Sequence, residues 1–494
     1  MSASAPAQPH LDPLLAAIVR ARPVYAQLLA EGERTLGAYV QGFSAVTLPA
    51  IQSRSDYIAQ VERQVSAAQG GLLGAKVRAR LERSPVVFTA NHLSMESMPL
   101  TVQSMLVAAL GEPPGGALPV DASGLIPADN ASFPAGLLLS RRSEGKALRI
   151  PVLDLPKRLR HQLTMLLDPF RAEDLLRARE RMLALADSAR IGAREARALS
   201  WILSDLLPSP GVLDQVDFRG QAMAATTGFW PAWFTPESRE HLPQLCYFHG
   251  ESVRTPLLVQ DLLEPGTLAN RLLFDRALRE AVLLALDGVP CCWTGAGQQS
   301  GSAFLWKVDA NRRTTRLVVE GDALVTVEGL RIPLEPAVLV EGLLAGTLVP
   351  TSFLSLTLGL ARGLVQVGGF NQVGYLAAMQ QGLAEALAAT GHAQWAECLR
   401  RPLPPMLTAA FAPVAACYAD GLVASAGGIE LMAHGGLGPA DLERMRGLTL
   451  RDALALELPG IARMVLGEQA ARERAGPEGA PGADRLQRLV VVRP

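Results

Sequence analysis

SPVVFTANHLSMES, residues Ser84 to Ser97, decides how this chain is read. Pro85 to Thr89 is a short apolar run of strand type, and it gives way to Thr89, Asn91 and His92, with Glu96 soon after. Met98 to Leu110 then has helical character, Gly111 to Gly116 is a loop, and Ala117 to Asp121 is a second strand with a polar end. Strand, polar turn, helix, loop and strand in that order predict a βαβ unit, and so an α/β fold on a parallel sheet. Ligands of such sheets sit beyond the carboxyl ends of the strands. The polar groups after Phe88 and after Val120 are therefore expected on one edge.

The same grammar recurs further along. Gln244 to His249 reads as a strand, followed by Glu251 and Arg254. Leu364 to Gly368 reads as another, followed by a glycine-rich turn that opens a helix closing at Gly391. Between them Arg271 to Leu286 is helical, and the alternation from Ala303 to Ile332 predicts hairpins. Pro13 to Gln69 is helical, broken at Pro23, with a second helix near Tyr57 to Ala68. The segmentation is thus an N-terminal helical segment over residues 1–80 and a core over 81–394, with a helical insertion near 157–207. A mixed C-terminal region over 395–494 ends in a mobile tail around AGPEGAPGA, Ala475 to Ala483. There Pro439 to Arg446 is helical, and Ala453 to Leu466 is a helical run that Pro459-Gly460 should interrupt.

The chain has 494 residues, 49% of them hydrophobic, which is ample for a large core. With a net charge of -1 and no basic stripe carrying aromatics, nucleic acid is not an expected partner. The five cysteines are odd in number and contain no C-x-x-C, which argues against a disulfide framework or a zinc site. Cys291 and Cys292 are expected in a buried strand. Gly342 to Ala361 is uncharged and long enough to span a bilayer, but Pro350 divides it into two buried elements. No membrane role is expected, and with no secretory signal in MSASAPAQPH the cytoplasm is the default.

Several residues are candidates for chemistry. Thr89 and Asn91 can donate to an anion near a helix start. His92 can move a proton near neutral pH, whereas Glu96 can instead cap the helix that follows. Asp121 and Ser123, with Asp129 and Asn130, follow the second strand and either bind an amine or cap the loop; as metal ligands the two carboxylates are too few. His249 and Glu251, one residue apart, would share a strand face. Gly368 and Gly369, with Asn371 and Tyr375, let a ligand approach backbone. Neither this turn nor TGAGQQSG is a dinucleotide or Walker motif. The aromatic cluster FWPAWF, Phe229 to Phe234, reads as packing, and Lys307 reads as a sheet-edge residue. No G-x-S-x-G elbow is present, which disfavours a serine hydrolase.

Taken together, Thr89-Ala90-Asn91-His92 before Met98-Pro99-Leu100, Asp121 with Ser123, Pro350 to Leu354, and Gly368-Gly369-Phe370-Asn371-Gln372-Val373-Gly374-Tyr375 resemble a known pattern. It is that of the cysteine-adding enzymes that complete bacillithiol, over about residues 80–390. The resemblance implies a Rossmann-like core with a nucleotidyltransferase-type site above the sheet. Gln372 stands where that family has an acid, the histidine of its acidic loop is missing, and its long C-terminal coiled coil is not visible. Cysteine and an amino sugar are therefore not carried over as substrates.

The expectation is an enzyme of specialised metabolism, ligase- or transferase-like, that joins an amine or amino acid to another small metabolite through a carbon–nitrogen bond. His92 is its acid–base group, Glu96 a second catalytic candidate, and Asp121 the holder of an amine. Thr89, Asn91, Ser123, Asn130, His249, Gly368, Gly369, Asn371 and Tyr375 bind substrate. No metal is expected, and ATP or another nucleotide is the cofactor to consider. A homodimer is compatible with the sequence. The alternatives are a binding or scaffold protein with a degenerate site, and a hydrolase or lyase using His92 and Glu96.

Overall fold

The computed structural model describes residues 11–130, 135–143, 146–159, 161–295, 301–400, 408–467, 469, 470 and 486–494. The middle of TGAGQQSG, the first ten residues and Ala475 to Ala483 lie outside the described residues.

At the centre is a four-stranded parallel sheet of Val86–Phe88, Ala117–Ala122, Gln244–His249 and Val365–Val367. In space the last of these lies beside the first, then come the second and the third. Phe88 sits opposite both Val120 and Val367, and Ala122 opposite His249, so all four strands end along one rim. The predicted βαβ unit is present, with its helix at Pro99–Ala109. Pro99 occupies the first helical turn, where its missing N–H is no loss.

Period-2 alternation sends the strand side chains to two different cores. Val86, Phe88, Leu118, Val120, Leu245, Tyr247, Val365 and Val367 belong to one core, with helix Pro99–Ala109 and helix Phe218–Ala232. Val87, Ala117, Cys246 and Phe248 face helices Ser55–Gln69, Gly71–Arg83 and Gly250–Leu263 in another. Both faces are covered, which explains why these strands read as unbroken apolar runs. The N-terminal helix Leu11–Ala21 and the C-terminal region join the first core through Leu14, Ile18, Val414 and Val490. Gln103, fully buried in the Pro99–Ala109 helix, satisfies the Val414 backbone on both sides and the Ala426 carbonyl.

Two insertions decorate the sheet. The connection from the second strand to the third carries an antiparallel hairpin, Gly136–Ser143 with Lys146–Pro151, and helices Ala172–Asp187, Ala193–Trp201 and Phe218–Ala232. The helical insertion near 157–207 is therefore regular only from Ala172 onward, after two short 3₁₀ turns. The connection from the third strand to the fourth carries a five-stranded antiparallel sheet, in the order Leu348–Pro350, Leu305–Val308, Thr314–Glu320, Ala323–Thr326, Arg331–Pro333. These are the hairpins that the alternation predicts.

Other expectations need correction. Cys291 and Cys292 are not in a strand. Val289 to Cys292 is a turn closed by Cys292 N–H donating to Val289 O at 3.0 Å, with Pro290 second and Cys291 third at φ 66°. This is the backbone of a type II turn, with proline and the positive-φ residue in their usual places. Pro459 does not interrupt a helix but opens one, Leu458–Leu466, after a separate short helix Leu450–Leu454. The chain's last residues are paired: Val490–Val492 runs parallel to Val414–Cys417, which also pairs Val423–Ser425. Gly342 to Ala361 is split as expected, into the end of helix Pro336–Leu344, a strand at Leu348–Pro350 and helix Ser352–Ala361. Among the described residues no helix is long and apolar enough to cross a membrane.

Candidate functional site

Beyond Phe88 the chain leans first to one neighbour and then to the other. Thr89 N–H donates to Val367 O of the fourth strand at 2.7 Å. Then Ser123 N–H donates to Asn91 O at 3.1 Å, and Leu93 N–H to Ser123 O at 2.8 Å, so His92 is held beside the end of the second strand. The direction of strand succession reverses between the first strand and the fourth. In open α/β sheets that crevice is where ligands bind.

Thr89 marks the crevice. Gln372 Nε2 donates to Thr89 Oγ1 at 2.8 Å, Thr89 donates to Gln372 Oε1 at 3.1 Å, and Tyr375 OH donates to that same oxygen at 3.4 Å. Gln372 lies in the first turn of helix Phe370–Ala389, whose N-terminus follows Gly369 and has no side-chain cap. Gly369 is half-buried with nothing within 4 Å of a Cβ placed on it, whereas Gly368 is buried and its carbonyl accepts from Thr408 Oγ1. Asn371 is exposed. The predicted meeting of Thr89 with the double-glycine turn is thus present, through Gln372.

A second group lies toward the third strand. Glu96 is 1% exposed; its carboxyl accepts from Thr101 Oγ1 and, at 3.0 Å, from Tyr247 OH. Burial pushes this carboxyl up to about 7, against the pull of those two hydroxyls. The helix begins at Pro99 after Met98, so Glu96 is not its cap. Asn91 is buried beside the Glu96 carboxyl, where its amide adds to the pull of the two hydroxyls, while its Oδ1 has no hydrogen-bond partner. His92 is half-buried, and its Nδ1 is likewise buried and unpartnered. Burial lowers the imidazole to about 4, with the Glu251 charge opposing it. At neutral pH the ring is uncharged, so it is a hydrogen-bonding group and only a weak base, and Glu96 is the group poised near 7.

The third group is an ionic network below the rim. Asp121 and the Arg254 guanidinium are in direct contact, both buried. Burial pulls the Asp121 carboxyl up to about 6 while Arg254 pulls it down; with the charges in contact, the ionised pair is the favoured state. Arg254 also reaches Glu251 at 3.5 Å, and Tyr57 OH donates to Asp121 at 3.4 Å. Burial works against the Glu251 charge, but His249, Arg254 and the Gly124 N–H outweigh it and hold the carboxyl at about 2. A Cβ on Gly250 would meet the side-chain ends of Asp121 and Arg254, which would have to shift.

This network changes the roles given to two predicted residues. Asp121 is engaged by Arg254 and is not free to hold an amine. His249 and Glu251 do not share a strand face, since Glu251 belongs to the first turn of helix Gly250–Leu263. Its Oε2 still lies 3.0 Å from His249 Nε2, and His249 Nδ1 lies 2.7 Å from Ser252 Oγ. Fully buried, His249 serves the network and does not face a ligand. Asn130 sits in an exposed turn further along the loop that Ser123 begins. Tyr247 and Tyr57 escaped the sequence reading; Tyr247's position, two residues from both Leu245 and His249, was the available signal for its face. No group of three or more histidine, cysteine, aspartate or glutamate side chains able to hold a metal ion occurs among the described residues.

The chain matches no known protein-family model, and no curated protein matches it.

Proposed function

We propose that the chain is a small-molecule biosynthetic enzyme of ligase or transferase type, working on the rim of a Rossmann-like sheet in the cytoplasm. It would join an amine or amino acid to a second small metabolite through a carbon–nitrogen bond. One observation carries the reading: half-buried Thr89 and Gly369 stand on the rim where strand succession reverses, half-buried His92 and Ser123 stand beside the end of the second strand, and a buried carboxyl at about 7 lies behind them. An amine attacking an electrophilic carbon must shed a proton, and a group near 7 is matched to accept it. The uncapped start of helix Phe370–Ala389, beside Thr89, suits a negatively charged group, including a nucleotide phosphate. The uncharged imidazole of His92 would orient the amine.

The test is ligand-detected NMR with ATP, GTP and a panel of amino acids, on the chain and on His92→Ala, followed by mass spectrometry for a condensed product. Binding that disappears in His92→Ala, together with product, supports the reading. Binding that is indifferent to His92 removes it. The second reading, a binding protein with a degenerate site, draws on the engagement of Asp121 by Arg254; it predicts binding without product. The hydrolase reading is weaker, because the His92 imidazole, uncharged at neutral pH and only a weak base, is poorly suited to activating a water.

A further inference from the structure

We infer that Glu251 is a positioning residue for His92, acting through the Ser123–Gly124 turn. The inference rests on the reading of His92 as a ligand-facing group, but its first test needs no ligand. Glu251 Oε2 accepts from Gly124 N–H at 2.8 Å, and Oε1 accepts from Ser123 Oγ at 3.2 Å. One carboxylate therefore holds both residues of the turn. Ser123 in turn grips the backbone on both sides of His92, donating to Asn91 O and accepting from Leu93 N–H. Tyr247 OH, 3.3 Å from His92 O, supports the same residue from the third strand. Every link is a hydrogen bond, and Glu251 is the only charged group among them.

The turn tolerates little change. A Cβ on Gly124 would come within 2.6 Å of Met165 Cβ and 2.7 Å of His249 Nε2. The carboxylate is itself in contact with Arg254 and His249, so the turn is tied to buried groups. A carboxylate held this way is rigid, and supporting residues of that kind keep a reacting group within a few tenths of an ångström of a useful position. A purely structural carboxylate would stabilise the whole domain. A positioning one acts on the turn and on the ring of His92.

The experiment compares the full chain with Glu251→Gln and with Ser123→Ala, following amide hydrogen exchange and the ring carbon and nitrogen signals of His92. The ring signals are assigned by their loss in His92→Gln. Expected is exchange at Ser123 and Leu93 faster by on the order of tenfold in both variants, and at Gly124 in Glu251→Gln, with the amides of Val86–Phe88 and Val365–Val367 unchanged. The His92 ring signals should shift and broaden, and Glu251→Asp should restore part of the protection. If Glu251→Gln does not fold, Ser123→Ala decides at Ser123 and Leu93, because it cuts the Oγ link to Glu251 Oε1 and leaves the carboxylate and its bond to Gly124 N–H in place. Unchanged exchange and unchanged ring signals in Ser123→Ala overturn the inference, and so does uniform acceleration across the sheet. Loss of nucleotide or amino-acid binding by the unaltered chain would remove the functional reading and leave this result standing.

Discussion

Tyr247 and Glu96 meet at 3.0 Å inside the protein, the phenol of the third strand donating to a carboxyl that follows the first. Tyr247 is wholly buried and Glu96 almost so. The contact ties two strand ends together and leaves a carboxyl in a place where its charge is poorly solvated.

The consequence is a pH dependence with a definite sign. A carboxyl raised from 4.5 to about 7 on folding holds its proton more tightly in the folded chain. Below pH 4.5 both states carry the proton and stability is undiminished. Between there and about 7 the unfolded chain ionises first, and stability falls by up to about 3 kcal/mol. Glu96→Gln removes this loss. Urea midpoints at pH 5 and pH 8 should show the variant gaining on the parent as pH rises; an equal difference at both would mean that Glu96 ionises normally.

His92 works at the other end of the scale. Its imidazole drops from 6.5 to about 4 on burial, so the unfolded chain takes up the proton first as pH falls. The stability that this group contributes is present above 6.5 and is lost by about 4. The amount is on the order of 2 kcal/mol, because the residue is partly exposed. His92→Gln should flatten the acid limb between those values, read as urea midpoints at pH 4.5 and 7. A limb of unchanged steepness would mean that the ring is solvated in the folded chain.

The contrast between what the sequence announced and what it withheld follows from range. The strand ends around Phe88 and Val367 were readable because strands buried on both faces are continuous apolar runs, and because Gly369 precedes a long helix. Asp121 was misjudged because its partner, Arg254, lies 133 positions away, and no periodicity reports a contact of that kind. The C-terminal sheet was missed for the same reason: Val414–Cys417 pairs with Val490–Val492 across most of the last hundred residues. Glu96 was readable as a polar residue in the right loop, but its altered acidity comes from burial, which only the fold supplies.

The Asp121–Arg254 pair predicts an asymmetric response. Arg254→Met strands Asp121 and Glu251 as buried charges and should cost about 3–5 kcal/mol. Asp121→Asn combined with Arg254→Met should recover part of that, since one of the stranded charges is gone. Thermal or urea unfolding of the single and double variants measures the coupling. Additive losses would show that the two side chains do not stabilise each other. Gly250→Ala should resemble Arg254→Met, because its new methyl group displaces the same pair.

Arg362 offers a last prediction, about how the N-terminal helices are fastened to the sheet. Its side chain is fully buried, with Nε 2.9 Å from Asp56 Oδ1 and Nη2 2.9 Å from Asp261 Oδ1. It thereby joins helix Ser55–Gln69 to helix Gly250–Leu263 from a position just before the fourth strand. Gly363, next in the chain, turns the backbone at φ 63° toward that strand, which carries the double-glycine turn at its end. A guanidinium can serve both carboxylates at once because its donors fan out in a plane; an ammonium is a compact charge and cannot span them. Arg362→Lys should therefore destabilise, and Arg362→Leu should do so by about 3–5 kcal/mol, since it leaves both acids uncompensated. The more telling readout is hydrogen exchange. Because the arginine sits at the base of the fourth strand, protection in Arg362→Lys should fall first at Val365 to Val367 and in the first turns of the Ser55–Gln69 helix. Loss that begins instead at the antiparallel strands Thr314–Glu320 and Ala323–Thr326 would show that Arg362 does not anchor this corner of the fold.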